Sequence, residues 1–122
     1  MKKSAPVRVY TYARCSTCRN ATAWLRDHGI SFEEIPIRET PPSAAELTAM
    51  LGYYDGDIRR LFNTSGIDYR EQGLAQKLPA LSQQEAFALL RANGNLVKRP
   101  FLLGKNFGLV GFKPDQWAEK LA

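Results

Sequence analysis

The sequence predicts an α/β fold, a mixed four-stranded sheet with helices packed on it, and three observations carry that expectation. A strand–loop–helix–strand unit opens the chain. Two helix-capping signatures mark its middle, and two short strands followed by a helix close it.

Val7-Arg8-Val9-Tyr10-Thr11-Tyr12 alternates and is rich in β-branched and aromatic residues, so it reads as a strand. Ala21, Trp24, Leu25 and His28 recur at helical spacing, Gly29 supplies a left-handed stop, and Ile30 is placed for the usual hydrophobic contact. Phe32 to Ile37 is the second strand, with Ile35 and Ile37 on one face. Pro41-Pro42 then breaks the chain. Ser43 with Glu46 forms a capping box that opens a helix carrying Leu47, Met50 and Leu51. Asp57 is placed to cap a short turn bearing Ile58, Leu61 and Phe62, which Asn63-Thr64-Ser65-Gly66 closes. A second capping box, Ser82 with Glu85, opens a helix carrying Phe87, Leu89 and Leu90, with Gly94 as its expected stop. Pro100 to Leu103 and Phe107 to Gly111 flank Gly104-Lys105-Asn106 as a hairpin, and Pro114 opens a last helix with Trp117 and Leu121 facing inward. Trp24, Phe62, Phe87 and Trp117 read as core.

Composition excludes several classes. Hydrophobic residues at 44% and charged residues at 24% are globular values and argue against disorder. No apolar run approaches the roughly 20 residues of a membrane span. The first residues carry two lysines but no apolar stretch behind them, so no signal peptide is expected and the cytoplasm is the expected location. Seventeen basic against twelve acidic residues give a net charge of +5, which suits an anionic ligand and equally suits a plain basic surface. There is no block of like charges and no zinc-finger or RNA-binding signature, so direct nucleic-acid binding is not expected. With no repeat and no dividing linker, residues 1–122 read as one domain.

The two cysteines stand together as Cys15-Ser16-Thr17-Cys18, between the first strand and the first helix. Only His28 could join them among the soft ligands, which is too few for a structural zinc site, so no metal is expected. At a helix start the unpaired N–H groups and the positive dipole end stabilise a thiolate, the form that attacks. Arg14 and Arg19 add positive charge beside the pair. Cys15, before the helix, is the candidate nucleophile, and Cys18, one turn on, the candidate resolving thiol. Their ordinary alternative is two inert core residues. His28 reads as a helix C-terminal cation, and Arg59-Arg60 as an anion contact or an exposed helix face. Arg99, taken alone, reads as a surface charge.

Tyr12-Ala13-Arg14-Cys15-Ser16-Thr17-Cys18-Arg19-Asn20-Ala21, Thr40-Pro41-Pro42, Leu61-Phe62-Asn63-Thr64-Ser65-Gly66, Lys98-Arg99-Pro100 and Leu109-Val110-Gly111-Phe112 stand in that order. Together they resemble the ArsC/Spx family: glutaredoxin-type arsenate reductases, related thiol reductases, and Spx/MgsR redox regulators of transcription. The resemblance runs from Val7 to about Leu121. It implies a thioredoxin-like fold with a helical insertion at about 42–95, a cis Pro100, and Arg99 facing the cysteine pocket. In the arsenate reductases of that family the thiolate attacks the oxyanion, arginines stabilise it, and glutathione with glutaredoxin reduces the adduct.

This chain departs from that pattern. It has Asn63 where those reductases carry an arginine, Thr11 where they carry a histidine, and Lys113 as a loose counterpart of their third arginine. It also has Cys18, which their loop typically lacks. The resemblance to Spx implies instead a Cys-x-x-Cys switch that binds the C-terminal domain of the RNA polymerase α subunit. Gly52 is placed to correspond to a glycine of that contact, but the extended basic tail of Spx is not expected, since none is seen up to Ala122.

The expected function is therefore an ArsC-like thiol–disulfide oxidoreductase, arsenate being a candidate substrate, with a redox-switched regulator as the alternative. Cys15, Cys18 and Arg99 form the expected catalytic set. Arg14, Ser16, Thr17, Arg19, Asn20, Asn63 and Pro100 form the expected substrate-binding set. No bound cofactor is expected, glutathione (with glutaredoxin) or thioredoxin is the expected electron donor, and a monomer the expected state.

Overall fold

In the computed structural model, which describes residues 6–121, the alternation of the first segment becomes strand β1, Val7–Thr11. The lysines at positions 2 and 3 and the terminal Ala122 lie outside the described residues. Helix α1 (Ser16–Asp27) follows, then strand β2 (Phe32–Pro36). Between β2 and strand β3 (Phe101–Leu103) run four helices: α2 (Ala44–Tyr53), α3 (Ile67–Glu71), α4 (Leu74–Lys77) and α5 (Gln83–Ala92). Strand β4 (Gly108–Val110) and helix α6 (Pro114–Leu121) complete the order. The sheet order is β2-β1-β3-β4, with β1 parallel to β2 and the other two pairs antiparallel. This is the mixed four-stranded α/β sheet that the sequence predicts.

The period of two divides the core between the faces of the sheet. Val7 and Val9 of β1, Leu102 of β3 and Leu109 of β4 pack with Ala21 and Leu25 of α1 and with Trp117 of α6. The alternate residues Tyr10, Phe101 and Val110 pack with Leu47 and Met50 of α2 and with Phe87 and Leu90 of α5. One face thus carries α1 and α6, and the other carries the insertion. Trp117 is fully buried, and its indole N–H donates to the Gly111 carbonyl at 3.1 Å. Trp24, expected in the core, is only half-buried and stacks on His28 with ring centroids 3.9 Å apart.

Both capping boxes form as read. Ser43 accepts from the Glu46 N–H and Ser82 from the Glu85 N–H, and each glutamate answers the cap's own N–H. At the end of α1, Gly29 takes φ 67°, Ile30 N–H reaches the Leu25 carbonyl and Gly29 N–H reaches Arg26, the predicted glycine stop. Three details differ from the sequence reading. Asp57 makes no side-chain cap, and Ile58–Leu61 is a 3₁₀ turn. Helix α5 ends at Ala92, while Gly94 begins a 3₁₀ turn packed against the backbone of Ile37. Helices α3 and α4 are unannounced because each is one turn or little more and carries no side-chain cap.

Glu46 does more than cap. Its carboxylate accepts from the Tyr10 hydroxyl at 2.5 Å and from Arg8 Nε at 3.0 Å, tying α2 to β1. Burial alone would raise the pKa of Glu46. The bonds from Tyr10 and the Ser43 backbone, with the charge of Arg8, outweigh it and hold the carboxyl below its ordinary value. A group depressed on folding stabilises the native state above its unfolded pKa and loses that contribution as pH falls through the folded value. Glu46→Gln should therefore lower the urea midpoint at pH 7 and converge with the parent below the ordinary carboxylate range of about pH 4. A gap that stays constant with pH would remove the charge as its cause.

Candidate active site

The chain leaves β1 at Thr11, turns, and enters α1 at Ser16. Cys15 N–H closes that turn by donating to the Tyr12 carbonyl at 2.9 Å. Cys15 is the N-cap of α1, with extended backbone (φ −91°, ψ 111°), and its Sγ accepts the Cys18 N–H at 3.2 Å. Sulfur stands where a serine or aspartate oxygen commonly sits, so the free N–H groups and positive dipole end of the helix face it.

The two thiols differ in surroundings. Cys15 is half-buried and borders a cleft, whereas Cys18 is 2% exposed. Burial, followed by the hydrogen bond with Cys15, pushes the Cys18 thiol up to about 12, outweighing the opposing pull of the Tyr12 backbone and of the Arg99 charge. Cys18 is thus a protonated thiol at neutral pH. Iodoacetamide at pH 7 should label Cys15 and leave Cys18 unmodified in the native protein, read by peptide mass spectrometry. Labelling of Cys18 first would contradict this division.

The second wall comes from the segment before β3. Arg99–Pro100 is a cis peptide bond, as the resemblance implies, and Pro100 is buried. The Arg99 guanidinium lies 5.0 Å from the centroid of the Tyr12 ring. Among the described residues, its Nη1 is a buried donor with no acceptor from the chain. A zipper of backbone contacts sets this segment against the insertion: Asn63 N–H to Leu96 O at 2.7 Å, Lys98 N–H to Leu61 O at 2.8 Å, and a bridge between Phe62 and Val97.

The resulting cleft has a volume of about 600 Å³. Its walls are Cys15 and Thr17 at the start of α1, Arg60, Asn63 and Ser65 of the insertion, Lys98 and Arg99 before β3, and Val110 to Lys113 at and just beyond the end of β4. Arg60, Lys98, Arg99 and Lys113 give it four cationic side chains, and no carboxylate lines it. The fold therefore brings together Cys15, Thr17, Asn63 and Arg99 of the predicted set, with Cys18 and Pro100 buried. Arg14, Ser16, Arg19 and Asn20 are exposed and do not line the cleft, and Arg19 instead donates to the Ala13 carbonyl at 2.8 Å, bracing the loop. Arg60, Ser65, Lys98 and Lys113 enter the site from outside the expected set. Their signals in the sequence are the arginine pair at 59 and 60, the Leu61-Phe62-Asn63-Thr64-Ser65-Gly66 stretch, the Lys98-Arg99-Pro100 run and the loose match at Lys113. Among the described residues no three His, Cys, Asp or Glu side chains are grouped to hold a metal, and no helix is long and apolar enough to cross a membrane.

A sequence model of the ArsC family matches residues 10–120. The chain belongs to the ArsC family. An uncharacterized protein of Bacillus subtilis strain 168, YusI, is 44% identical over 113 residues, spanning 93% of this chain and 96% of that protein. The global transcriptional regulator Spx of Listeria innocua is 30% identical over 110 residues, or 90% of this chain and 82% of Spx. The crystal structure of a possible arsenate reductase from Streptococcus mutans superposes with a TM-score of 0.82 at 38% identity, covering 89% of this chain and 92% of that one. The ArsC-family fold is thioredoxin-like, and the open mixed sheet with its cysteine loop at the start of α1 agrees with it.

Proposed function

We propose that this chain is an ArsC-type thiol–disulfide oxidoreductase that reduces an oxyanion, arsenate being the first to test. The observation that carries the reading is the placement of Cys15 Sγ at the N-terminus of α1, on a cleft with four cations and no carboxylate, with Cys18 buried one turn behind. Arg99 and Arg60 bind the anion beside Cys15, and Thr17, Asn63 and Ser65 offer hydrogen bonds around it.

The Cys15 thiolate attacks arsenic(V), forming a sulfur–arsenic bond as one oxygen leaves as water. Cys18 then attacks Cys15 Sγ. The electron pair of the breaking sulfur–arsenic bond passes to arsenic, the Cys18 proton leaves with arsenite, and a Cys15–Cys18 disulfide remains. Two electrons and two protons from glutathione with glutaredoxin, or from thioredoxin, restore the dithiol. Such a cycle needs one chain, no bound cofactor and a reducing compartment, which makes a cytoplasmic monomer the proposed working state. NADPH oxidation coupled to each donor in turn, with arsenate as acceptor, tests it. Turnover above the enzyme-free rate is expected, and its absence with both donors would sink the reading.

The Spx relative supports a second reading, in which the same disulfide switches affinity for the RNA polymerase α C-terminal domain. Gly52 and the 41% exposed Tyr53, at the end of α2, offer an accessible surface for such a contact. Binding that differs between the dithiol and disulfide forms is expected on this reading, and equal binding in both forms would end it.

A further inference from the structure

Both arginines of the cleft lie over tyrosine rings. Arg99 Cζ is 5.0 Å from the Tyr12 centroid, and Arg60 Cζ is 4.6 Å from the Tyr54 centroid. Each ring is anchored through its hydroxyl. Arg38 Nη1 donates to the Tyr12 oxygen at 2.9 Å, and its guanidinium is itself 5.0 Å from that ring. The Val110 backbone N–H donates to the Tyr54 oxygen at 3.0 Å, and Val110 is part of the cleft wall. The Tyr12 carbonyl in turn holds the Cys15 N–H, so one residue spaces an arginine from the sulfur.

A ring face holds a guanidinium differently from a carboxylate. A carboxylate would neutralise the charge and use up the edge N–H groups. The π face attracts the cation through its quadrupole and leaves those N–H donors free for another acceptor. Among the described residues the ion pairs within 4.0 Å both belong to Arg8, and neither Arg60 nor Arg99 is paired. We infer that Tyr12 and Tyr54 are positioning residues that preorganise Arg99 and Arg60 as the two guanidinium donors of one anion site around Cys15. The ligand class is an anion small enough to meet both arginines at the sulfur, a tetrahedral oxyanion or a carboxylate group. This inference rests on the proposed reading of Cys15 as the reactive thiol of an anion-binding cleft.

Alkylation of Cys15 tests it without any natural substrate. In a Cys18→Ser background, the rate with anionic iodoacetate is divided by the rate with neutral iodoacetamide. The ratio reports positive charge at the sulfur and cancels changes in thiolate content or access. Tyr12→Leu and Tyr54→Leu should each lower the ratio about two- to fivefold, the fold-change matching an exposed to partly buried cation–π contact. Tyr12→Phe and Tyr54→Phe, which keep the rings, should stay closest to the parent. Tyr12→Leu should have no further effect once Arg99→Ala is present, nor Tyr54→Leu once Arg60→Ala is present. Should Tyr12→Leu fail to fold, Tyr12→Met, with similar volume and no ring, carries the same expectation. Folded leucine variants with an unchanged ratio, or an effect that survives loss of the arginine, would overturn the positioning role alone. Slow alkylation of the parent by both reagents, or a ratio unmoved by Arg99→Ala, would overturn the underlying cleft reading and the inference with it.

Discussion

Replacing Cys15 with serine should lower arsenate turnover by on the order of 10³-fold or more while leaving the fold intact. Both halves of that expectation come from the same position. Cys15 is the N-cap of α1, and serine is among the best N-caps, so its Oγ can accept the Cys18 N–H in place of Sγ. The thermal midpoint should therefore hold, and lost activity cannot be blamed on lost structure. The hydroxyl, however, is a far weaker nucleophile than a thiolate, and Cys18 is too buried and too firmly protonated to take over.

Cys18→Ser should fail at a different step. Cys15 still attacks, but the adduct has no internal thiol to resolve it. With thioredoxin as donor, turnover should stop. With glutathione and glutaredoxin an external thiol can attack in place of Cys18, and part of the rate should survive. Mass spectrometry of the Cys18→Ser protein after exposure to glutathione disulfide should find Cys15 carrying one glutathione. Full activity of Cys15→Ser would remove the nucleophile assignment, and full thioredoxin-dependent activity of Cys18→Ser would remove the resolving role.

The cysteine loop was legible in the sequence because everything that defines it is local. A period of two runs into a period of 3.6, with Cys-x-x-Cys at the junction and Gly29 at the far end of the helix. The capping boxes at Ser43 and Ser82 were legible for the same reason. The cleft was not, because it is assembled across the chain. Arg60, Lys98 and Lys113 each sit on short segments with no motif around the charge that spacing alone would pick out, so one charge looks like any surface charge. The zipper of 61–63 on 96–98 makes neighbours of Arg60 and Lys98, the pairing of β3 with β4 and the Gly111 N–H on the Pro100 carbonyl bring in Lys113, and backbone hydrogen bonds leave no mark on residue type. Arg99 was placed by family resemblance rather than by spacing, and Tyr12, read as the last residue of a strand, is the ring beneath it.

Gly94→Ala should destabilise the chain by about 3 kcal/mol or somewhat more. A Cβ at Gly94 would stand 2.8 Å from the Ile37 carbonyl carbon and 3.0 Å from Arg38 Cα, with the Ile37 oxygen closer still. All three are backbone atoms, so no rotamer change relieves the overlap. Nor can the strand end retreat, because Ile37 is fully buried and its N–H is bonded to the Thr11 carbonyl beside the cysteine loop. The 3₁₀ turn Gly94–Leu96 must move instead, and with it the segment that presents Lys98 and Arg99 to the cleft. For a chain of this length, 3 kcal/mol corresponds to a fall of roughly 10–15 °C in the thermal midpoint. The same variant should weaken anion binding more than Cys15→Ser does, because it displaces a binding wall rather than the nucleophile. Gly52→Ala is the matched control. A Cβ there meets nothing within 4 Å and lies in α2, so it should raise the stability by up to about 0.5–1 kcal/mol. Urea unfolding of both variants separates the causes: a Gly94→Ala protein within 1 kcal/mol of the parent would mean that the backbone at Ile37 gives way, and that the wall carrying Arg99 is not held where this packing requires.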